Sequence, residues 1–165
     1  MTDLVVTRWG ARFGARRLPC ALGRGGITGA KREGDGATPA GRWRVAGLYY
    51  RPDRLARRAL PRGAKPIGPA DLWSDDARDP AYNQPVRAPH RFSHERLRRG
   101  DRLYDLVLIS DWNYPEATPG RGSAIFLHRW RKPRHPTAGC LAFAPGDLLW
   151  LARRLGPHSR IVVRG

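Results

Sequence analysis

The chain has 165 residues, with 31 Lys or Arg against 14 Asp or Glu and a formal net charge of +17. This length suits one domain of ordinary size that buries a core without disulfides or metals. A hydrophobic content of 41% with six Trp excludes an intrinsically disordered chain. The 19 Gly and 15 Pro favour a strand-based, loop-rich fold over a helical bundle.

The positive charge favours polyanionic partners, such as nucleic acid, an anionic membrane surface or a carboxylate-rich polymer. No nucleic-acid-binding module accompanies the charge, so we expect no specific nucleic-acid partner. A basic nucleic-acid-binding protein is nevertheless the alternative from another functional class. We expect no membrane span, because no stretch is long and apolar enough. The first residues also lack the basic and apolar segments of a signal peptide.

Taken in chain order, the hydrophobic pattern predicts short strands at residues 4–7, 16–21 and 42–50, separated by glycine-rich turns. Prolines then interrupt every periodic pattern from 51 to 100, and we expect residues 66–99 to form an ordered lid. The clearest strands follow at 104–109 and 123–127. A strand at 140–143, a helix at 145–155 and a strand at 160–163 complete a mainly β domain with one packed helix.

The two cysteines have different surroundings. Cys20 lies in an apolar run, where a free cysteine behaves as a small hydrophobic residue, so we expect it to be structural. Cys140 follows Gly139, which lets a substrate carbonyl approach the sulfur. His128 ends a strand twelve positions earlier, and two strands joined by such a loop can pair side by side, which would bring imidazole and thiol together.

Two other interpretations of these residues stay open at this point. His128 can be an ordinary core histidine, since one Cys and one His by themselves are weak evidence for a catalytic dyad. A zinc site formed by His128, His135 and Cys140 is the second alternative, but it lacks the paired ligand spacing of structural zinc. We therefore expect neither a metal nor an organic cofactor.

Two segments of the chain carry specific motifs. The first comprises Gly26-Ile27 and residues 31–41, which read K-R-E-G-D-G-A-T-P-A-G. The second is I-F-L-H at 125–128 with T-A-G-C at 137–140. Together they resemble the L,D-transpeptidase catalytic domains, the YkuD family. The resemblance spans the whole chain and is weakest from 51 to 100. Many members have a histidine in place of Ala138 and an arginine in place of Ala142, so the chain resembles a divergent branch.

The resemblance implies a YkuD-like fold and an acyl transfer with Cys140 as nucleophile and His128 as base. Thr137 and Gly139 match the small polar residue and the glycine before the cysteine. The implied activity is a peptidoglycan L,D-transpeptidase that cross-links stem peptides through a cysteine thioester. An L,D-carboxypeptidase, with water as the acceptor, is the alternative on the same route. The substrate implies the cell envelope or periplasm, and we expect a monomer.

Further residues are expected to bind the substrate because they lie in the lid or at strand ends. Arg87 and Arg91 of the lid are candidates to replace the missing carboxylate anchor. The other candidates, besides Thr137, are Tyr82, Asn83, His90, His94, Trp112, Asn113 and Arg129.

Overall fold

The structure, a computed structural model, describes residues 2–165 of the chain. Within that range it contains sixteen strands, one α-helix and one 3₁₀ turn at Arg57–Ala59. The strands of the first half are β1 (Leu4–Thr7), β2 (Gly10–Phe13), β3 (Arg16–Leu18), β4 (Cys20–Ala21), β5 (Ile27–Thr28), β6 (Thr38–Pro39), β7 (Gly41–Trp43), β8 (Val45–Tyr50), β9 (Lys65–Pro66) and β10 (Asp71–Ser74). Those of the second half are β11 (Pro85–Arg87), β12 (His94–Arg96), β13 (Leu106–Ser110), β14 (Phe126–Arg129), β15 (Leu141–Phe143) and β16 (Ile161–Val163), with helix α1 (Pro145–Ala152) between the last two.

Two main sheets form the body of the molecule. The first has five strands in the order β3-β2-β1-β16-β7, and the second has six in the order β4-β15-β14-β13-β8-β9. Their side chains and those of α1 meet in one hydrophobic core, to which Trp43 and Phe143 contribute large buried rings. The fold is therefore mainly β with one packed helix, as the sequence predicts.

The six-stranded sheet has a second apolar face. Side chains alternate between the faces of a strand, so Leu127 and Leu141 enter the main core while Phe126 and Cys140 point the other way. A separate three-stranded sheet packs on this second face.

Residues 71–96 contain a three-stranded antiparallel sheet, β11-β10-β12, hereafter called the small sheet. Its strands are three or four residues long, too short to show a period, and Pro85 opens an edge strand where no ladder N–H is required. The Trp73 ring packs edge-on against Phe126 with ring centroids 5.1 Å apart. The small sheet is thereby anchored on the second face of the six-stranded sheet.

Helix α1 begins at Pro145, where a missing N–H costs no hydrogen bond, and buries Leu148, Leu151 and Ala152. It ends three residues before the predicted position, because the chain turns after Ala152 and is no longer helical. Among residues 2–165, no helix has the length and hydropathy needed to cross a bilayer.

Candidate active site

Cys140 and His128 lie on neighbouring strands of the six-stranded sheet. Strands β14 and β15 pair in parallel with His128 opposite Ala142, and Cys140 directly precedes β15. Both side chains point to the face covered by the small sheet, because Phe126 shares that face with His128 and contacts Cys140. The pairing of the two segments across the sheet is the arrangement that the sequence predicts.

The backbone before Cys140 requires a glycine. Gly139 has φ +144°, and a Cβ atom there would lie 2.9 Å from the carbonyl oxygen of Ala37. The Thr38 hydroxyl donates to the Gly139 carbonyl at 2.9 Å and accepts the N–H of Gly23. The two segments that carry the family resemblance therefore meet at this glycine.

Thr137 braces the same turn from the other side. Its Oγ1 donates to the carbonyl of Cys140 at 2.7 Å and accepts the N–H of Gly139 at 3.1 Å. The conformation of the loop is thus fixed on both flanks of Gly139. The direction in which Cys140 projects follows from that fixed loop.

The Cys140 thiol is buried and uncharged. It is 8% exposed, donates to the carbonyl of Ala124 at 3.1 Å and receives the N–H of Phe126 at 3.4 Å. Burial and then the nearby Glu95 carboxylate raise the pKa of Cys140 to about 12. The thiol must lose its proton to a base before it can act as a nucleophile.

His128 is also uncharged at neutral pH. Burial lowers the pKa of His128 to about 4. Its Nδ1 lies 2.7 Å from the carbonyl oxygen of Arg129, which can only accept, so Nδ1 carries the proton. The lone pair of Nε2 is consequently free to accept a proton. At rest, thiol and imidazole are therefore both neutral.

Two cavities reach Cys140. The larger, of about 420 Å³, also contains His128, and the smaller, of about 190 Å³, approaches the sulfur from the side of Ser123 and Ala124. The residues that line the larger cavity are Arg24, Glu95, Leu103, Tyr104, His128, Arg131, His135, Pro136, Thr137, Ala138 and Cys140. Thiol, imidazole, cationic groups and one carboxylate therefore share a single space.

The structure brings Thr137 and Gly139 to the thiol but places the predicted lid contacts elsewhere. Asn83 is 1% exposed, and its side-chain oxygen accepts the indole N–H of Trp73 and the N–H of Ala124. Tyr82 is buried as well, and its hydroxyl donates to Glu33. Both side chains join the small sheet to the body of the protein, so their polar groups already have partners within the protein.

The two lid histidines make contacts within their own segment. His90 Nε2 lies 2.6 Å from Asp79 Oδ2, and His94 Nδ1 lies 2.7 Å from the carbonyl of Phe92. Neither histidine lines the cavities at Cys140. Each imidazole is therefore engaged locally.

The remaining predicted contacts also lie outside the two cavities. Trp112 packs against Trp43 and donates its indole N–H to Arg121, and Asn113 bonds to its own loop. Arg129 lies near Asp105 in a separate cavity beside α1. These side chains stabilise loops at a distance from the thiol.

The two lid arginines have local partners too. Arg87 pairs with Asp71 at 3.0 Å, and the Arg91 guanidinium lies over the Phe92 ring. Arg24 and Arg131, which the sequence does not single out among thirty-one basic residues, line the cavity instead.

Sequence reasoning also missed the acidic and phenolic groups of the site. Glu95 and Tyr104 line the large cavity, and the Tyr104 hydroxyl donates to Glu95 Oε2. Lys31 is buried beside Gly139 and pairs with Asp35. Glu95 lies in a strand of three residues, where no periodicity can be read. Lys31 and Asp35 belong to the first resembling segment, which is the signal that could have indicated them.

Cys20 is separate from this site. It is buried in β4 opposite Phe143 of β15, and burial raises the pKa of its thiol far above the ordinary range. Both cysteines are free. Among residues 2–165, no three His, Cys, Asp or Glu side chains form a group suited to hold a metal ion.

The family model of the L,D-transpeptidase catalytic domain, YkuD, matches residues 4–163 of the chain. No curated protein matches the chain. A solved structure, an L,D-transpeptidase from Mycobacterium smegmatis, is similar with 12% identity and a TM-score of 0.44. That match covers 99% of this chain and 58% of the other, so the chain spans somewhat more than half the length of that structure. Since the family model extends over nearly every residue, the chain belongs to the L,D-transpeptidase catalytic-domain family.

Proposed function

We propose that the protein is a peptidoglycan L,D-transpeptidase that links stem peptides through a thioester on Cys140. The observation that carries the proposal is the shared cavity of Cys140 and His128 in a chain of this family, with Nε2 of the imidazole free to accept a proton. A thiol and a neutral imidazole that open to one cavity supply the two groups needed for nucleophilic attack assisted by a general base.

The first half of the reaction starts from the neutral pair. His128 Nε2 takes the thiol proton as sulfur attacks the peptide carbonyl, and the imidazolium then gives that proton to the departing amine. Gly139 N–H already donates to Thr137, so we assign the N–H of Cys140 as a donor to the developing oxyanion. In the second half, the amine of a neighbouring stem replaces the sulfur, and Cys140 recovers its proton.

Stem peptides carry several carboxylates, and the cavity offers cations to receive them. Arg24 and Arg131 line it together with Cys140. A guanidinium binds a carboxylate through two parallel hydrogen bonds, which makes Arg24 and Arg131 the best candidates for the carboxylate anchor. Ala142, in place of the usual family arginine, is fully buried opposite His128 and cannot provide that contact.

The segment 66–99 is proposed to act as the lid. Its β12 strand supplies Glu95 to both cavities, and its β10 strand packs through Trp73 on the strand of His128. Such a cover limits the access of water to the thioester, which decides between transpeptidation and hydrolysis by the L,D-carboxypeptidase route. The peptidoglycan substrate suggests that the protein acts in the cell envelope.

The proposal is tested by incubation with isolated sacculi followed by muropeptide analysis. New cross-linked stems, and a stable acyl adduct located on Cys140 by mass spectrometry, are expected. Cys140→Ser should give neither, and His128→Ala should react at least about a hundredfold more slowly. Cys20→Ser is the matched control and should behave as wild type. An adduct on Cys20, or normal turnover of Cys140→Ser, would refute the assignment.

A further inference from the structure

Glu95 is a carboxylate in an apolar position at the candidate active site. It lies in the middle of β12 opposite Trp73, so both side chains face the six-stranded sheet. Tyr104 donates its hydroxyl to Glu95 Oε2, while no residue within 2–165 donates to Oε1. Glu95 lines both cavities at Cys140, so a ligand there can approach its carboxylate.

Two more carboxylates surround the smaller cavity at Cys140. Glu33 is fixed there by hydroxyl groups of Tyr82 and Ser123. Asp75 has an enclosed Oδ1 atom without a hydrogen-bond partner. Because this atom is enclosed, a ligand cannot bond to it, and Asp75 contributes by adding a carboxylate to the lining of the smaller cavity, where it favours a cation.

The three carboxylates at the smaller cavity differ from most acidic residues of the protein because they form no ion pair in the described part of the chain. Nine acidic residues form ion pairs with arginine, lysine or histidine, as expected in a chain with 31 basic residues. Within residues 2–165, no ion pair includes Glu33, Asp75 or Glu95. Of the five acidic residues that form no ion pair within residues 2–165, these three line the smaller cavity at the thiol. A cationic ligand would supply the partner that these groups lack.

We propose that Glu95, supported by Asp75 and Glu33, binds the protonated amine of the acyl acceptor and takes one proton from it, so that the site prefers a cationic amine to water. The inference rests on the proposed function, because it concerns the second half of that reaction. It names a residue that selects the acceptor and adds a recognition role for the small sheet.

The steps balance in charge and protons. The acceptor enters as an ammonium ion and transfers one proton to the Glu95 carboxylate, which leaves a neutral amine. Its nitrogen attacks the thioester carbon, the new C–N bond forms and the C–S bond breaks. The second amine proton passes through His128 Nε2 to the sulfur of Cys140, and Glu95 later returns its proton to water. Burial, reinforced by Asp75, raises the pKa of Glu95 and makes the carboxylate a better proton acceptor.

The test separates the two halves of the reaction. Wild type and Glu95→Gln are acylated with a stem tetrapeptide, and the acylated fraction is measured by intact mass. The thioester is then offered a diaminopimelate-containing stem tripeptide or hydroxylamine, which is uncharged at neutral pH. The ratio of transfer product to hydrolysed donor reports the choice of acceptor, independently of the acylation rate.

Glu95→Gln keeps an oxygen for the Tyr104 hydroxyl but removes the charge. We expect its transfer ratio to fall at least tenfold with the cationic tripeptide and to change less than twofold with hydroxylamine. The matched control is Glu116→Gln, which removes the same charge from an exposed residue without an ion pair. This control should retain both wild-type ratios.

An unchanged ratio in Glu95→Gln, with normal transfer by wild type, would overturn this inference alone. An equal loss with both nucleophiles would overturn it too, because the effect would then not depend on charge. Absence of any Cys140 adduct in wild type would instead refute the proposed function. If Glu95→Gln does not fold, Asp75→Asn takes its place, and at least a threefold loss with the cationic tripeptide is required of it.

Discussion

The chemical state of the free thiol can be tested without a substrate. With its pKa near 12 instead of the ordinary 9, Cys140 has about a thousandfold less thiolate at neutral pH than an exposed cysteine. Since alkylation by iodoacetamide consumes thiolate, the labelling rate should be much lower than that of an exposed cysteine, although the greater nucleophilicity of a high-pKa thiolate offsets part of the difference. His128 does not compensate, because its pKa near 4 leaves no imidazolium to stabilise a thiolate.

The perturbation is therefore a change of pH between about 6 and 9, with labelling followed by peptide mass spectrometry. In this range both pKa values predict that the rate rises about tenfold per pH unit, without a plateau. A buried thiol with an ordinary pKa would begin to level off near pH 9, so the missing plateau, rather than the slope, separates a raised pKa from mere burial. Cys140→Ser provides the background from Cys20. A rate independent of pH would indicate a preformed thiolate–imidazolium pair and refute the neutral resting state.

Three substitutions test the supports of the site. Gly139→Ala places a Cβ atom 2.9 Å from the Ala37 carbonyl oxygen at a positive φ. Calorimetry should therefore show a loss of about 1–3 kcal/mol in the free energy of unfolding, and acylation should be abolished. An unchanged melting temperature with full acylation would contradict this. Asn83→Ala leaves the indole N–H of Trp73 and the backbone N–H of Ala124 without their acceptor. The free energy of unfolding measured in urea should therefore fall by about 2–4 kcal/mol. A loss below about 0.5 kcal/mol would show that Asn83 is dispensable. For Asp79, burial acts to raise the pKa, but hydroxyl, backbone and imidazole donors outweigh it and leave the pKa low. The carboxylate therefore stabilises the fold above its unfolded pKa, near 4, and this contribution is lost as the pH falls through the folded value. The difference in stability between wild type and Asp79→Asn should consequently narrow in acid, and a difference that stays constant with pH would refute this account.

The sequence predicts that His128 and Cys140 lie on neighbouring paired segments, because its signals for that arrangement are local. An apolar strand leads into His128, a glycine precedes Cys140, and the length of the loop between them permits side-by-side pairing. The family resemblance adds the roles that these residues are proposed to have. Their common face and shared cavity then follow from strand alternation.

The small sheet could not be predicted in the same way. Strands of three residues carry no period, and an Asn or His has both donors and acceptors, so its type does not reveal its partner. Asn83 and His90 were therefore interpreted as substrate contacts, whereas the structure engages them with Ala124 and Asp79. Glu95 was overlooked because its distinctive property, a carboxylate without a cation, exists only in three dimensions.

The placement of β16 has a consequence for biosynthesis. Residues 161–163 are the last strand in the sequence, yet β16 lies inside the five-stranded sheet, parallel to β1 and antiparallel to β7. Strand β1 is synthesised long before β16 and must wait for it before the sheet can close. The main core therefore cannot be completed on a nascent chain that lacks these three residues. Emergence of residues 161–163 from the ribosome, rather than synthesis of the Cys140 region, sets the earliest moment at which the finished fold can support the thiol.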